Sequence, residues 1–354
     1  MLPSAQAGGA ERVLLNLLRS FDRRIFDLHL IIIDARGPYL NLVPSDVVLH
    51  RLGYNRVGKA MVRLAAVLRN LKPDAVLSSI GHLNLALLLI EPLVQKKMRL
   101  FIRESNIASV AFARGIKNRL FRWLYRILYQ RADGIICPGE AIKSDLSENF
   151  GIKAERMIII PNPVYVDEIR SRMNSGSLPL QRGGIRLLAA GSLTRQKGFD
   201  LLIKAIAELK KIKPEIHLTI LGDGPEKRRL DSQIRSLGLS GFVALAGVQE
   251  NPFAYFHCAD LFILSSRWEG LPNVVLESLA CGTPVVAFDC PGCIREILSE
   301  PSLGVLVPAE DVDALASAIL ARMESVQNTD KSSLLPERYH AARVTRYYES
   351  ILSA

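Results

Sequence analysis

Short apolar runs alternate along this chain with stretches in which apolar residues recur every three or four positions. In the amino half the segments are 10–20, 27–33, 59–71, 75–79, 83–94, 100–103, 134–137 and 157–160. The short runs, rich in Val and Ile, predict buried strands, and the longer periodic ones predict amphipathic helices. Their alternation predicts an α/β fold, a parallel sheet with helices on both faces. The second half repeats the pattern with 185–190, 199–209, 216–221, 227–237, 243–246, 261–264, 274–280, 284–288, 304–307 and 311–323. Between the halves, 164–184 carries Asn174-Ser-Gly-Ser177 and Arg182-Gly-Gly184 and reads as a linker. Polar residues 324–333 precede a last helical segment near 337–352, and no short-period repeat is present.

A length of 354 residues exceeds what one core usually supports. Two Rossmann-like domains are expected, one over 1–164 and one over 165–336, followed by a terminal helix over 337–354. The first domain should open with a full apolar strand, yet only Met1-Leu2-Pro3-Ser4 precedes Gln6-Ala7-Gly8-Gly9. The first strand is therefore expected to be cut short. Either the start lies upstream or the domain has lost part of a central strand and with it stability or activity.

Hydrophobic residues make up 49% of the chain, as in a globular protein. No apolar run reaches the roughly 20 residues a bilayer span needs, since the run from Leu83 to Ile90 stops at Glu91. No signal peptide is visible ahead of Gly8, so a cytoplasmic protein is expected, peripheral on the inner face of the membrane if it binds lipid. Five cysteines, an odd number, argue against a disulfide framework. Cys290-Pro-Gly-Cys293 follows a strand without a second cysteine pair, so it reads as a turn rather than a redox or metal motif. The formal charge of +10 suits nucleic acid, an acidic membrane or anionic substrates. Its densest cluster decides among them. Arg114, Lys117, Arg119, Arg122, Arg126 and Arg131 alternate with Phe112, Leu120, Phe121, Trp123, Leu124, Ile127 and Tyr129. That is a basic, aromatic-rich amphipathic helix, which fits either a membrane surface or an ordinary solvated helix face. No nucleic-acid-binding pattern is evident.

The densest chemistry lies between Arg267 and Gly292. A strand at 261–264 runs into a polar turn, Pro272 suits a first helical turn, Asn273 can cap the helix, and Gly282 ends it. Glu269 then sits in the loop and Glu277 within the helix. In a β-α-β unit this loop opens at the carboxyl end of the sheet, where backbone N–H groups and the helix dipole suit a phosphate. The two carboxylates suit sugar and ribose hydroxyls. Gly191-Ser-Leu-Thr-Arg-Gln-Lys-Gly198 also joins a strand to a helix, so Arg195 and Lys197 can reach the same phosphate. Gly222 and Gly224 permit close backbone approach to a ligand and are expected to bind the donor.

Glu269, seven residues, then Glu277 resembles the E-x7-E signature of the retaining GT-B glycosyltransferases, and Glu-Gly-Leu-Pro-Asn-Val-Val-Leu-Glu-Ser-Leu-Ala-Cys-Gly-Thr-Pro resembles glycosyltransferase family 4. Gly8-Gly9-Ala10-Glu11-Arg12, Ile160-Pro161-Asn162-Pro163, Gly191 to Asp200, Gly222-Asp-Gly-Pro-Glu226 and Arg295-Glu-Ile297 extend the likeness over nearly the whole chain. The resemblance implies two Rossmann-like domains facing a cleft, with the terminal helix returning to the first. It implies transfer of a sugar from a nucleotide sugar, expected to be a UDP-sugar, to a glycan acceptor. The Gly-Gly-Ala-Glu-Arg and Arg-Glu-Ser-Asn runs look like those of enzymes acting on polyprenyl-diphosphate-linked oligosaccharides.

By the same resemblance Glu269 contacts the donor sugar, and Gly270, Leu271, Pro272, Asn273 and Val274 lie along the phosphate. Glu277 takes the ribose, Val248 lies near the nucleobase, and Gly8, Gly9 and Gly191 belong to glycine loops on the donor. The family more often has Arg where this chain has Ser192, a place Arg195 can take. Glu104 is expected to orient the acceptor hydroxyl, with Arg103, Asn106, His82 and Asn84 on the acceptor. No Asp-x-Asp occurs where a nucleotide-sugar site needs one, since Asp311-Val-Asp313 comes too late, so metal-independent transfer without a cofactor is expected. Two alternatives stand beside it: a sugar-nucleotide epimerase on the same fold, and a degenerate homologue that binds nucleotide or membrane without turnover.

Overall fold

The computed structural model describes residues 1–6, 8–94, 98–111, 116–173, 184–325 and 332–354. The chain folds as two units, Met1–Pro163 with Ala341–Ala354, and Val164–His340. Phe112 and Arg114 of the basic segment lie outside the described residues, as do most of the linker positions 174–184.

In the first unit, β1 (Leu2–Ser4), β2 (His29–Asp34) and β3 (Val48–Arg51) form one parallel sheet in that order. A second parallel sheet runs β4 (Ala75–Ser79), β5 (Arg99–Arg103), β6 (Gly134–Cys137) and β7 (Met157–Ile159). The sequence led us to expect one continuous sheet. The division falls at β1, which is three residues long and reaches only Ile32 and Asp34 of β2. The intervening helices are α1 (Gly9–Ser20), α2 (Val57–Leu71), α3 (Gly81–Ile90), α4 (Ala108–Ala111), α5 (Ile116–Leu128) and α6 (Glu140–Phe150). Helix α6 ends at Gly151, whose φ of 65° lets its own N–H and that of Ile152 return to the carbonyls of Ser147 and Leu146.

The second unit opens with α7 (Val166–Met173), so the expected linker is in part a helix. Its acidic first turn and basic last turn match the helix dipole. One parallel sheet follows, in the order β10-β9-β8-β11-β12-β13. The strands are β8 (Ile185–Ala190), β9 (Ile216–Leu221), β10 (Val243–Gly247), β11 (Leu261–Leu264), β12 (Val285–Asp289) and β13 (Gly304–Pro308). The helices are α8 (Phe199–Ile212), α9 (Lys227–Ser236), α10 (Pro252–Cys258), α11 (Asn273–Ala280), α12 (Ile294–Ile297) and α13 (Val312–Ser325). Strand β11 is buried throughout and β12 up to Asp289, as parallel strands covered on both faces must be.

The last segment is a short 3-10 turn, Glu337–Tyr339, and then α14 (Ala341–Ser353). Only α14 belongs to the first unit, so the boundary falls at His340 rather than before 337. Val344 and Tyr348 of α14 are fully buried in the cluster that holds Leu2, Leu14, Leu17, Leu30 and Ile32. Val344→Ala removes two methylene equivalents from that cluster and is expected to cost about 2 kcal/mol. A lowered urea midpoint at unchanged slope would show it.

Candidate active site

Sheet order reverses between β8 and β11, the position at which parallel α/β sheets open a crevice outside their carboxyl ends. The loop after β8 is Gly191 to Gly198 and the loop after β11 is Ser265 to Pro272. The Lys197 carbonyl accepts from Ser265 Oγ at 2.9 Å, Gln196 Nε2 donates to the Trp268 carbonyl at 2.9 Å, and the Arg267 N–H reaches the Gln196 carbonyl at 2.7 Å. Gly198 makes this possible. Its φ is +61°, and a Cβ there would stand 1.9 Å from the Ser265 carbonyl oxygen.

That stapling brings together two residues singled out in the sequence. Lys197 Nζ lies 2.6 Å from Glu269 Oε1, with side-chain exposures of only 18% and 6%. Ser266 Oγ donates to the same oxygen at 2.6 Å. A second ion pair braces the loops from outside the pair. Arg267 binds both oxygens of Asp200 at 2.9 Å, donates to the Arg195 carbonyl at 2.8 Å and reaches Glu310 at 3.0 Å. Burial alone would raise the Asp200 carboxyl, but the Arg267 hydrogen bonds and charge outweigh it and the net shift is downward. Ser266, Arg267, Asp200 and Gln196 had no role in the sequence reading. Their signal was available: three lie within the two loops, and Asp200 closes the run read as a family landmark.

Gly222 and Gly224 act differently from expectation. A Cβ on Gly222 would lie 2.0 Å from the Gly191 carbonyl oxygen, and one on Gly224 would lie 2.6 Å from that of Leu193. The close approach they allow is to the neighbouring loop. Lys197 in turn lays its stem on Gly191, its Cε 3.0 Å from where a Cβ would stand. The Cys290-Pro-Gly-Cys293 turn clamps the Glu269 loop from the other side, since Glu269 N–H donates to the Pro291 carbonyl and Cys293 N–H to that of Gly270, both at 2.9 Å. Both cysteines are buried and free, and burial pushes the Cys290 thiol up to about 12, with the Glu269 charge adding to the rise. That environment suits a structural turn.

Helix α11 starts at Asn273, with Pro272 at the capping position and no side-chain cap. Asn273 is thus the first helical residue and not the cap, because the preceding proline takes the extended conformation required there. Gly270, Leu271, Pro272, Asn273 and Val274 form the entry to this helix, and Glu277 is buried one turn in. Arg195 is exposed at the rim, and Val248, beside Gly247 at the end of β10, is 72% exposed.

The candidate acceptor residues lie in the first unit, described on its own. Gly8 caps α1, and the Glu11 carboxylate occupies the space its Cβ would take; Gly9 is the first helical residue and is exposed. Asn84, Arg103 and Glu104 differ from expectation: all three are buried and bound internally. Glu104 accepts from the hydroxyls of Tyr129 at 2.8 Å and Tyr125 at 3.1 Å. Asn84 Nδ2 donates to the Arg103 carbonyl at 3.0 Å, and the Arg103 guanidinium binds Ser79 Oγ at 3.3 Å and Asn162 Oδ1. They underlie the surface rather than face it. His82 is exposed and Asn106 half-buried beside them. A strained backbone marks the same spot: Ile80, β-branched, has a φ of 78°, and a Cβ on Gly81 would stand 1.8 Å from the Tyr125 hydroxyl. Burial pushes the Glu104 carboxyl up, against the pull of the Tyr129, Ser105 and Tyr125 hydrogen bonds and the Arg103 charge.

Two Rossmann-like units, each of parallel strands covered by helices, are those of the GT-B fold class. The sequence model described as Glycosyltransferase Family 4 matches residues 7–168, and that described as Glycosyl transferases group 1 matches 184–325. The chain belongs to this glycosyltransferase family. It is 30% identical over 264 residues to an uncharacterized glycosyltransferase of Methanocaldococcus jannaschii, covering 71% of the chain and 64% of that relative's length. It is 28% identical to the N-acetylgalactosamine-N,N'-diacetylbacillosaminyl-diphospho-undecaprenol 4-alpha-N-acetylgalactosaminyltransferase of Campylobacter jejuni, over 91% of the chain and 88% of the relative. The crystal structure of Anabaena HepE in complex with UDP-glucose shares the fold with a TM-score of 0.79 at 19% identity, over 99% of this chain and 98% of that one.

Two outcomes follow from the geometry. Gly198→Ala forces a left-handed residue against the Ser265 carbonyl and should cost about 1–3 kcal/mol by thermal or urea unfolding. Glu104, with its carboxyl raised by burial from 4.5, contributes stability below that value that is lost as pH rises. Glu104→Gln should flatten the fall in stability that the unsubstituted protein shows as pH rises above 4.5.

Proposed function

We propose that this protein is a retaining, metal-independent hexosyltransferase that moves a sugar from a UDP-sugar to a lipid-linked glycan in surface polysaccharide synthesis. The observation that carries the reading is the Lys197–Glu269 pair at the loop crossing of the second unit. Charge must be supplied where the diphosphate departs, and Lys197 stands there with its aliphatic stem packed and its Nζ held by Glu269. Among the described residues both hydrogen bonds to Glu269 fall on Oε1, which leaves Oε2 for a sugar hydroxyl. Helix α11 adds its dipole, and buried Glu277 suits the ribose. Lys197, Arg195 and these N–H groups do what a divalent cation does elsewhere. The Campylobacter relative's named acceptor, a diphospho-undecaprenol, motivates the lipid-linked substrate, and the UDP-glucose in the Anabaena structure motivates the donor. Acceptor recognition is assigned to the surface around His82 and Asn106, which the buried Glu104 network positions from beneath.

A lipid-linked substrate requires access to a membrane, and no helix among the described residues is long and apolar enough to cross one. Helix α5 supplies an alternative. Trp123 is 57% exposed, Leu120 and Ile127 are exposed too, and Arg119 and Arg126 stand on the same helix. Apolar side chains flanked by arginines suit the interface of an anionic bilayer.

With a panel of UDP-, GDP- and ADP-sugars and a membrane lipid extract, one UDP-sugar should release nucleotide, faster with lipid and undiminished by EDTA. Lys197→Ala and Glu277→Ala should each lower kcat by about 10²–10³-fold in the same assay. Turnover that needs added Mg²⁺, or no turnover with any donor, would overturn the proposal. Trp123→Ser should reduce sedimentation with phosphatidylglycerol vesicles while leaving transfer to a soluble acceptor unchanged.

A further inference from the structure

Strands β2 and β3 pair in parallel with His29 opposite Val48 and Ile31 opposite His50. Residues 29, 31, 48 and 50 therefore share one face of the sheet, and the two histidines stand on it as diagonal neighbours. Their rings stack at 20° with centroids 5.3 Å apart, and His29 Nδ1 lies 3.0 Å from His50 Nε2. Asp27, two residues ahead of His29, brings its Oδ2 to 3.4 Å from His29 Nε2. Both rings are half-buried, with the His29 side chain 22% exposed, so packing holds the pair while solvent still reaches it. None of the three residues has a part in the candidate active site.

The carboxylate sets the chemistry of the pair. It accepts from His29 Nε2–H, which places that ring's proton away from His50 and leaves a lone pair on Nδ1. His50 Nε2–H donates to that lone pair. An uncharged imidazole can carry its proton on either nitrogen, and with the His50 proton on Nδ1 two lone pairs meet in the same space. A cation between them replaces the repulsion of two lone pairs by two bonds. Nitrogens roughly 2.0–2.1 Å from one ion, at bond angles between about 90° and 109°, stand about 2.9–3.4 Å apart. The separation of 3.0 Å falls in that range.

We propose that His29 and His50 chelate a divalent cation of the zinc, nickel or copper class, with Asp27 orienting the His29 ring from behind. A carboxylate on the far nitrogen of a ligating histidine fixes the tautomer and raises the basicity of the nitrogen that binds. Imidazole nitrogens select these ions over Mg²⁺ and Ca²⁺, which take oxygen ligands. Among the described residues no cluster of three histidine, cysteine or carboxylate side chains could hold a metal, so water completes the coordination. The proton leaving His50 Nε2 passes to water and His50 Nδ1 takes one up, so binding exchanges no net proton. The ion ties β3, four residues long and at the end of its sheet, to β2 by bonds independent of the backbone ladder. The inference stands on this geometry and does not depend on the proposed activity.

The test is calorimetric titration of Zn²⁺ at pH 7.5 into protein free of any histidine tag. His29→Gln and His50→Gln should each weaken binding at one site by about 10²-fold, the gain that a second ligand on the same scaffold provides. Asp27→Asn should weaken it by about tenfold. Zn²⁺ should also slow amide exchange at 48–51 by about tenfold in the unsubstituted protein. Absence of binding, equal affinity in both histidine variants, or exchange at 48–51 indifferent to Zn²⁺ would overturn the proposal, and an unweakened Asp27→Asn would overturn the orienting role. Should the glutamine variants fail to fold, the paramagnetic resonance spectrum of Cu²⁺ on the unsubstituted protein decides: two nitrogen ligands support the site, and one or none refutes it.

Discussion

The second unit depends on how closely two backbones can pass. The loops after β8 and β11 cross with the Gly198 Cα against the Ser265 carbonyl, and the loop after β9 crosses that after β8 with Gly222 against Gly191. Each approach is closer than any residue with a Cβ allows. Once the loops are in register, the rest is set by reach. Lys197 meets Glu269, Arg267 spans to Asp200, and the Cys290–Cys293 turn holds the Glu269 backbone from behind. The ion pairs would have little effect without that crossing, because partly exposed pairs gain from geometry held in advance and not from charge alone.

Much of this was legible in the sequence because it lies in short local runs. Glu269, Glu277, Lys197 and the glycines announced themselves by spacing around predicted strand ends. Their pairing was not legible, since Lys197 and Glu269 are 72 positions apart and only the sheet order brings their loops together. Gly222 and Gly224 were read as sites of close approach to a ligand, whereas the backbone they approach in the structure is that of another loop, which single-chain patterning cannot reveal. On the first unit the reading gave Asn84, Arg103 and Glu104 roles at the acceptor, and the structure buries all three. Strand β5 is buried on both faces, so the alternation that separates inward from outward residues carries no information at its end.

The fold was read well where elements are long and apolar. It was read poorly where they are short or polar: β3 carries His50 and Arg51 at a sheet edge, α10 has two turns opened by a proline, and half of α7 is charged. Helix α7 hides in a stretch rich in breakers because only Ile169 anchors it in the core. The division of the first unit's strands into two sheets, β1-β2-β3 and β4-β5-β6-β7, needed coordinates.

Helix α14 closes the core of a unit whose other residues precede it by at least 177 positions. A chain emerging from the ribosome therefore completes every strand of the first unit early but cannot cover Leu2, Leu14 and Ile32 with Val344 and Tyr348 until the whole of the second unit has been made. Contacts of such sequence separation are slow to form and leave apolar surface open meanwhile. The second unit, continuous from Val164 to His340, has all its own core residues in hand first. The order of maturation thus runs against the order of translation: the half made last is the half that can finish folding first.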